Sequence, residues 1–424
     1  MSDNQPRILL DDTALGGAKI KVIGVGGGGG NAINNMIERG LTGVEFIAAN
    51  TDKQALEHNL ADVKIQIGRE TTRGLGAGAN PERGKESILE SENEVKEALK
   101  GADMIFVTCG MGGGTGTGSA PEIAKIGQSI GALVVGIVTK PFIFEGKRRV
   151  NIADTWIDQL RENVDALIVI PNQKLLEIID KNTGFKEAFS KVDEVLYNAT
   201  RGISDIISRH GYVNVDFADV VTIMKGMGDA LMGIGIASGE HRAVQAAEKA
   251  LNSPLLDGIS IEGAKGLLVN ITGGQEMTMH EISDAVTLIE EKAGGDANLI
   301  KGIVFDESMN DEFMVTVVAT GFNCIKEEEE TEVNEPEQMT IPKNVFGGRT
   351  VFGEGRFDNI QKPSGQRALK KYDTPTYLRN GKSGVPLGDN SNTTASKIQS
   401  SNVKDEAKSK TIQAEPAFLR RIRD

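Results

Sequence analysis

Several common protein classes are excluded by what this sequence holds little of. It has two cysteines, Cys109 and Cys324, in 424 residues, too few for a disulfide framework, and that usage fits a reduced, cytosolic setting. Its four histidines, His58, His210, His241 and His280, lie far apart, and none stands at a metal-ligand spacing from a cysteine or another histidine. No zinc site is therefore expected, and no residue is assigned as a direct ligand to a metal. No apolar run approaches the roughly 20 residues of a membrane span, and the opening MSDNQPRILLDD is too polar for a signal peptide. Any membrane contact is expected to be indirect or through a short terminal segment. Basic charge is also short: the net charge is −13, which argues against general nucleic-acid binding. The common NTPase loop G-x-x-x-x-G-K-[ST] is absent, so no lysine stands ready for the β and γ phosphates of a triphosphate.

What is present is glycine and short β-branched runs. From Ala18 to about Phe185, the runs IKVIGV, VEFIAAN, MIFVTC, LVVGIVT and ALIVIP alternate with helical patterns. Each run is apolar on both faces, as buried parallel strands are, and the alternation predicts an α/β fold with a doubly wound parallel sheet over residues 18–185. Residues 186–210 carry apolar side chains at three- and four-residue steps, from Phe189 and Val192 to Ile206 and Ile207, and predict one long central helix of about 37 Å. Residues 211–325 read as a smaller α+β domain, with strand candidates MGIGIAS, GLLVNITG, IKGIVFD and FMVTVVATG and helices near His241–Leu251 and His280–Ala293. Residues 1–17 read as a flexible N-terminal segment. After Ile325 the acidic run Glu327–Glu330 gives way to Gly, Ser, Asn, Thr and Lys without period. Residues 326–413 are read as a disordered linker, spanning about 50 Å root-mean-square as a coil. The final stretch, 414–424, is set apart below.

Two glycine-rich segments carry the chemistry. The first strand runs into GGGGGN, with Gly27, Gly28, Gly29, Gly30 and Asn31 opening a helix expected to start near Asn31. Without a Cβ the backbone approaches a phosphate closely, and a helix N-terminus presents free N–H groups and a positive dipole end. Gly24, Gly26 and Gly29 also satisfy the dinucleotide fingerprint G-x-G-x-x-G, which leaves a Rossmann-type, NAD-dependent dehydrogenase as the alternative. The second segment, GMGGGTGTGSAP, repeats the device after MIFVTC: Gly112, Gly113, Gly114, Thr115, Gly116, Thr117 and Gly118 precede a helix with Pro121 near its first turn. Two such segments in one sheet could embrace a di- or triphosphate, and a dehydrogenase needs only one. A third loop, TRGLGAGANPERG (Thr72–Gly84), is open to two readings, a surface loop or a neighbour of a terminal phosphate. Further on, NVDFADVVTIM places Asp216 and Asp219 on one helix face. Asp216 as N-cap, Asp219 in the first turn and Val215 with Val220 as a staple account for it structurally; the same carboxylates could polarise a water or attract a cation.

The set GGGGGN, AANTD at 48–52, GGGTGTG and NVDFAD resembles the FtsZ family, the bacterial, tubulin-related GTPases of cell division, over about residues 18–322 and the last ten residues. The resemblance implies a GTP-binding domain, GTP and GDP as ligands, Mg²⁺, and a monovalent cation near the catalytic loop. It implies that Gly27–Asn31 and the second glycine segment hold the phosphates, that Glu145 and Arg149 of PFIFEGKRR contact the ribose end, and that Asn172 and Asp193 face guanine. It further implies that Asn214, Asp216 and Asp219 act on the γ-phosphate bound by the next molecule, so that the chain is its own partner in a head-to-tail filament. The ending EPAFLRRIRD resembles the family's terminal peptide, bound by membrane-tethering division proteins, with Pro416, Phe418, Leu419 and Arg420 as contacts. The upstream DTPTYLR at 373–379 is similar and is open to two readings, an auxiliary docking copy or a chance likeness within the linker. The implied place of work is the cytoplasmic face of the membrane at the division site. Against the dehydrogenase, the second run ends in Asn50, Thr51 and Asp52 instead of an acid placed at the strand end for a ribose.

Overall fold

A computed structural model describes residues 17–177, 183–208, 215–256, 261–294 and 297–322. The N-terminal part alternates strands and helices: β1 (Ile20–Val25), α1 (Gly26–Glu38), β2 (Val44–Asn50), α2 (Lys53–Glu57), β3 (Val63–Gln66), α3 (Arg69–Thr72), α4 (Pro81–Glu90) and α5 (Glu92–Leu99). It continues with β4 (Met104–Gly110), α6 (Thr115–Ser129), β5 (Leu133–Lys140), α7 (Lys147–Arg161), β6 (Ala166–Pro171) and α8 (Asn172–Leu175). The long helix α9 (Phe185–Ser208) and α10 (Phe217–Met224) lead to β7 (Gly228–Ser238), α11 (Arg242–Leu251), β8 (Gly266–Gly273), α12 (Met279–Ala293), β9 (Asn298–Phe305) and β10 (Glu312–Thr320).

All ten strands join one sheet in the order β3-β2-β1-β4-β5-β6-β7-β10-β8-β9. Strands β1 to β6 are parallel to their neighbours, and β10 runs antiparallel to β7 and β8. The five expected N-terminal runs are β1, β2, β4, β5 and β6; the four-residue edge strand β3 is additional, too short to carry a periodic signal. Although β9 and β10 follow each other around a polar turn, β8 lies between them. Strand order reverses about β1, which pairs with β2 on one side and β4 on the other. In open α/β sheets the crevice at the carboxyl ends of such strands is where ligands bind. Both glycine segments follow these two strands.

Two apolar layers sandwich the parallel part. Val22, Ile33, Met36, Phe106, Leu196 and Ile203 pack where α1 and α9 cover one face. Ile23, Ile105, Val107, Ile123, Trp156 and Leu160 pack under α4 to α7 on the other. A third cluster, with Ala246, Ile271, Ile289 and Val315, lies under α11 and α12. The α9 stripe is buried at Val192, Leu196, Ala199, Ile203 and Ile206. That helix reaches both parts of the sheet. A Cβ at Gly202 would stand 2.9 Å from Thr316 of β10, and Arg201 bonds both Asp205 on its own helix and Asp306 just after β9.

Two helix starts differ from expectation. α1 begins at Gly26, five residues before Asn31, and α6 begins at Thr115, so Pro121 lies in its second turn. Glycine's low helix propensity reads as loop in sequence, but packing decides here. A Cβ at Gly29 would lie 2.5 Å from the Thr108 carbonyl oxygen, so the first turns of α1 seat against β4 only because they carry no side chains.

Candidate nucleotide site

The starts of α1 and α6 meet at the reversal point. Gly26 has φ of +70°, and a Cβ there would be 2.8 Å from the Gly116 nitrogen. The N-caps of the two helices, Val25 and Gly114, supply no side-chain hydrogen bond, and neither first turn holds an acid. Elsewhere Asn80, Asp216 and Thr278 cap α4, α10 and α12 through their side chains. Two uncapped helix ends thus aim unbonded N–H groups and two positive dipole ends at one crevice, which suits a polyanion. A Cβ at Gly27 or at Gly113 would meet nothing within 4 Å; these positions face the open cradle. Gly27, Gly28 and Asn31 are exposed, and Gly30, Gly113 and Thr115 half-buried. The remaining predicted positions lie deeper. Gly29, Gly112, Gly114 and Gly116 are buried in the contacts that form the cradle, Gly118 is buried against Pro81 and Lys85 of α4, and the buried Thr117 hydroxyl has no partner.

The third loop joins this crevice. A Cβ at Gly114 would be 2.8 Å from the Ala77 Cβ and 2.9 Å from the Asn80 nitrogen, so TRGLGAGANPERG borders the second glycine segment. Its Leu75 side chain is 85 % exposed. Asn50 ends β2 beside β1, and Thr51 and Asp52, to which the sequence alone gives no role in binding, follow it directly. Asp52 caps α2, accepting from the Gln54 nitrogen at 2.9 Å, and Thr51, fully buried, places its Oγ1 2.6 Å from Thr115 Oγ1. The available signal was a polar triplet closing an apolar strand next to the reversal point.

The expected ribose and base residues cluster at the ends of β5 and β6 and the start of α9. Glu145 accepts from the Phe142 nitrogen at 2.9 Å and from Arg149 Nη1 at 2.7 Å, so acid and arginine form a pair one helical turn apart. Asn172, the first residue of α8, is buried, and its Oδ1 has no hydrogen-bond partner. Asp193 stands half-buried on α9, and burial pushes its carboxyl up to about 6, with Arg39 pulling the other way. Phe142, Phe144, Phe185 and Phe189 form a chain of ring contacts beside them, with Phe185 and Phe189 centroids 4.8 Å apart. A half-buried carboxylate near flat rings can accept from the adjacent N1–H and amino group of guanine, donors that adenine does not pair with an acceptor-only partner in this way.

Asp216 and Asp219 lie elsewhere. Asp216 is the N-cap of α10, accepting from the Ala218 nitrogen at 3.3 Å, and Asp219 stands exposed in the first turn. The capping expectation is met, and Val215 and Val220 join the same apolar cluster. Phe217 and Val221 of α10 line a cleft of about 290 Å³ with Asp103, Leu133 and Asp165. Those three precede or begin β4, β5 and β6, so α10 sits at the amino ends of the parallel strands. The glycine segments sit at the carboxyl ends. With strands of 6 to 8 residues rising about 3.3 Å per residue, the two ends are roughly 20 Å apart.

The Cys109 thiol, beside the second segment, is fully buried and pushed up to about 12 by desolvation, which makes it inert. Among the described residues no group of three His, Cys, Asp or Glu is arranged to hold a metal ion, and no helix is long and apolar enough to cross a membrane. Asn214, the segment 326–413, DTPTYLR at 373–379, and Pro416, Phe418, Leu419 and Arg420 lie outside the described residues.

Residues 19–180 match the family model "Tubulin/FtsZ family, GTPase domain" and residues 228–323 match "FtsZ family, C-terminal domain". An empty FtsZ dimer from M. jannaschii is 46% identical, with a TM-score of 0.69 over 72% of this chain and 88% of that chain. A mutant of FtsZ from M. jannaschii is 45% identical, with a TM-score of 0.70 over 72% of this chain and 92% of that one. The GDP-bound monomer of CetZ1 from Haloferax volcanii, 24% identical, has a TM-score of 0.63 over 72% of this chain and 95% of that chain, a likeness of fold.

Proposed function

The chain belongs to the Tubulin/FtsZ family of GTPases, and we propose that it drives bacterial cell division as a filament whose GTP sites are completed by the next subunit. Membership makes it a tubulin-like, filament-forming GTPase that binds GTP and GDP and associates with itself. The finer reading rests on one observation. The crevice that suits a polyphosphate and the α10 carboxylates occupy opposite ends of one parallel sheet, roughly 20 Å apart. No side chain spans that distance. In a head-to-tail stack, however, the amino end of one sheet meets the carboxyl end of the next, and such a heterologous contact propagates as a filament.

In this reading the first turns of α1 and α6 hold the phosphates through Gly27–Asn31 and Gly112–Gly118, with backbone donors in place of the missing lysine. Glu145 and Arg149 contact the ribose end, and Asn172 and Asp193 read guanine. Asp216 and Asp219, with Asn214, come from the neighbour and orient the attacking water, accepting its proton as its oxygen bonds the γ-phosphorus and the bond from that phosphorus to the β–γ bridging oxygen breaks, releasing GDP and phosphate. The donor set fits a metal carried on the nucleotide. Thr115 and Asn31 offer side-chain oxygens near the cradle, and Mg²⁺ held there with the nucleotide would supply charge neutralisation on the phosphate oxygens. A monovalent cation near the α10 carboxylates belongs to the same proposal. Hydrolysis weakens the contact between subunits and so limits filament lifetime. The segment 414–424, through Pro416, Phe418, Leu419 and Arg420, is the handle for membrane-tethering division proteins, and the protein works at the division site on the cytoplasmic face of the membrane.

GTP turnover measured against protein concentration tests the shared site. Specific activity is expected to rise steeply above a threshold concentration; activity per molecule that stays constant at every concentration overturns the reading.

A further inference from the structure

We propose that Thr51 is a positioning residue, which fixes the hydroxyl of Thr115 so that its proton points out of the protein toward the bound phosphates. The inference rests on the reading above that the second glycine segment holds the nucleotide's phosphates. Thr51 directly follows β2 and is 0 % exposed. Its Oγ1 lies 2.6 Å from Thr115 Oγ1, and among the described residues this is the hydroxyl's one hydrogen bond. Thr115 is the first residue of α6 and is half-buried at the edge of the cradle.

The direction of the bond follows from what each hydroxyl can reach. A hydroxyl has one proton to donate and two lone pairs that accept. Thr51 is sealed from water. If Thr115 donated to it, the Thr51 proton would be buried without an acceptor and would lose its hydration unreplaced. If Thr51 donates, both protons are satisfied, because Thr115 faces the crevice and donates outward. The buried hydroxyl therefore donates and the exposed one accepts, which leaves the Thr115 proton free for a phosphate oxygen. A hydrogen bond to a charged acceptor is worth more than a neutral one, and a rotor fixed beforehand loses less freedom on binding.

The geometry around Thr51 holds it in place. The loop is pinned by the Asn50 side chain, which accepts from the Asp52 nitrogen at 3.1 Å, and by the Asn50 carbonyl, which accepts from the Ile67 nitrogen at 3.0 Å. Thr72, fully seated in the third loop, donates to the Gly68 carbonyl at 2.9 Å and lies 3.4 Å from the Thr51 carbonyl. The Thr51–Thr115 bond thus ties the end of β2 to the second glycine segment, while the third loop packs on both.

The test is a double-mutant cycle on the full chain, read by titration with fluorescent GTP and by thermal melting. Thr51→Val keeps shape and removes the proton; Thr51→Ser keeps the proton. Thr51→Val should weaken GTP binding about 3- to 10-fold, the size expected for one such bond, and Thr51→Ser should stay within about twofold of the parent. Combined with Thr115→Val, the Thr51→Val change should add less than about twofold, because the two act through one bond. Affinity unchanged by Thr51→Val, or losses that multiply in the double variant, overturns the inference. Should Thr51→Val fail to fold, Thr51→Ala takes its place in the cycle with the same expected outcomes. A parent chain that binds no GTP in the same titration overturns the functional reading instead.

Discussion

Lowering the pH should weaken GTP binding through Asp193 before it touches the fold. Burial raises this carboxyl to about 6 in the free chain, whereas the guanine contact needs it ionised, as an acceptor. At pH 7 about nine-tenths of the molecules carry the carboxylate, and at pH 5 about one-tenth, so affinity should fall roughly tenfold, or ~1.4 kcal/mol. A carboxyl near its ordinary value would lose almost nothing over that range. The effect on stability has the opposite sign. A folded-state value above the unfolded one means that the native state binds more protons between the two, so the nucleotide-free protein becomes less stable as pH rises through this window. Titrating fluorescent GTP from pH 7.5 to 5 reads the binding effect, but the nucleotide's own phosphate ionises near about 6. Asp193→Asn shares that phosphate titration and lacks the carboxyl, so the ratio of the two affinities isolates Asp193. That ratio should shrink about tenfold between pH 7 and pH 5. Parallel curves for the two proteins would refute the assignment of Asp193 as the buried base contact.

Asp219→Ala should leave GTP affinity within about twofold and lower turnover by roughly 100-fold or more, the range for removing a positioned acid or base; phosphate release under saturating GTP reads it. Gly116→Val should abolish nucleotide binding together with native melting, because its Cβ would lie 2.9 Å from the Val25 carbonyl oxygen and 3.1 Å from the Cys109 Cβ. Gly113→Leu, whose Cβ meets nothing within 4 Å, should melt like the parent and still lose GTP. Arg242, buried and bonded to Glu281 and Asp311, should cost about 2 kcal/mol when replaced by Met, read by denaturant unfolding at pH 7. Its bond holds the Glu281 carboxyl below the ordinary range, so that part of the stability is present at neutral pH and is lost on acidification through the depressed value.

Most of the sheet was legible because its strands are short β-branched runs buried on both faces. The face of α9 follows the 3.6-residue period, and the expected stripe at Val192, Leu196, Ala199, Ile203 and Ile206 is the buried one. The starts of α1 and α6 were not legible. Glycine's local preference points to loop, and only contact with β4 and with each other turns those residues into helix. The short strand β3 lacks the length for a pattern. At the site, the glycine segments announce phosphate by composition, whereas Thr51 shows only as one of a polar triplet after an apolar strand; its part depends on Thr115, 64 residues away. Asp216 and Asp219 read locally as a helix cap, and the structure bears out the cap. Their distance from the crevice appears only once the sheet direction is known, and that distance is the basis of the shared-site proposal.

Mixing two inactive variants tests that proposal most directly. Asp219→Ala keeps the phosphate crevice and lacks the neighbour's acid; Gly113→Leu fills the crevice and keeps the acids. Each alone should be nearly silent in GTP turnover. Copolymerised at equal amounts, about a quarter of the contacts should pair an intact crevice with an intact α10, restoring roughly a quarter of parental activity if the two variants mix at random in one head-to-tail filament. A mixture no more active than its components, under conditions where both enter the same filaments, would contradict a GTP site completed by the next subunit.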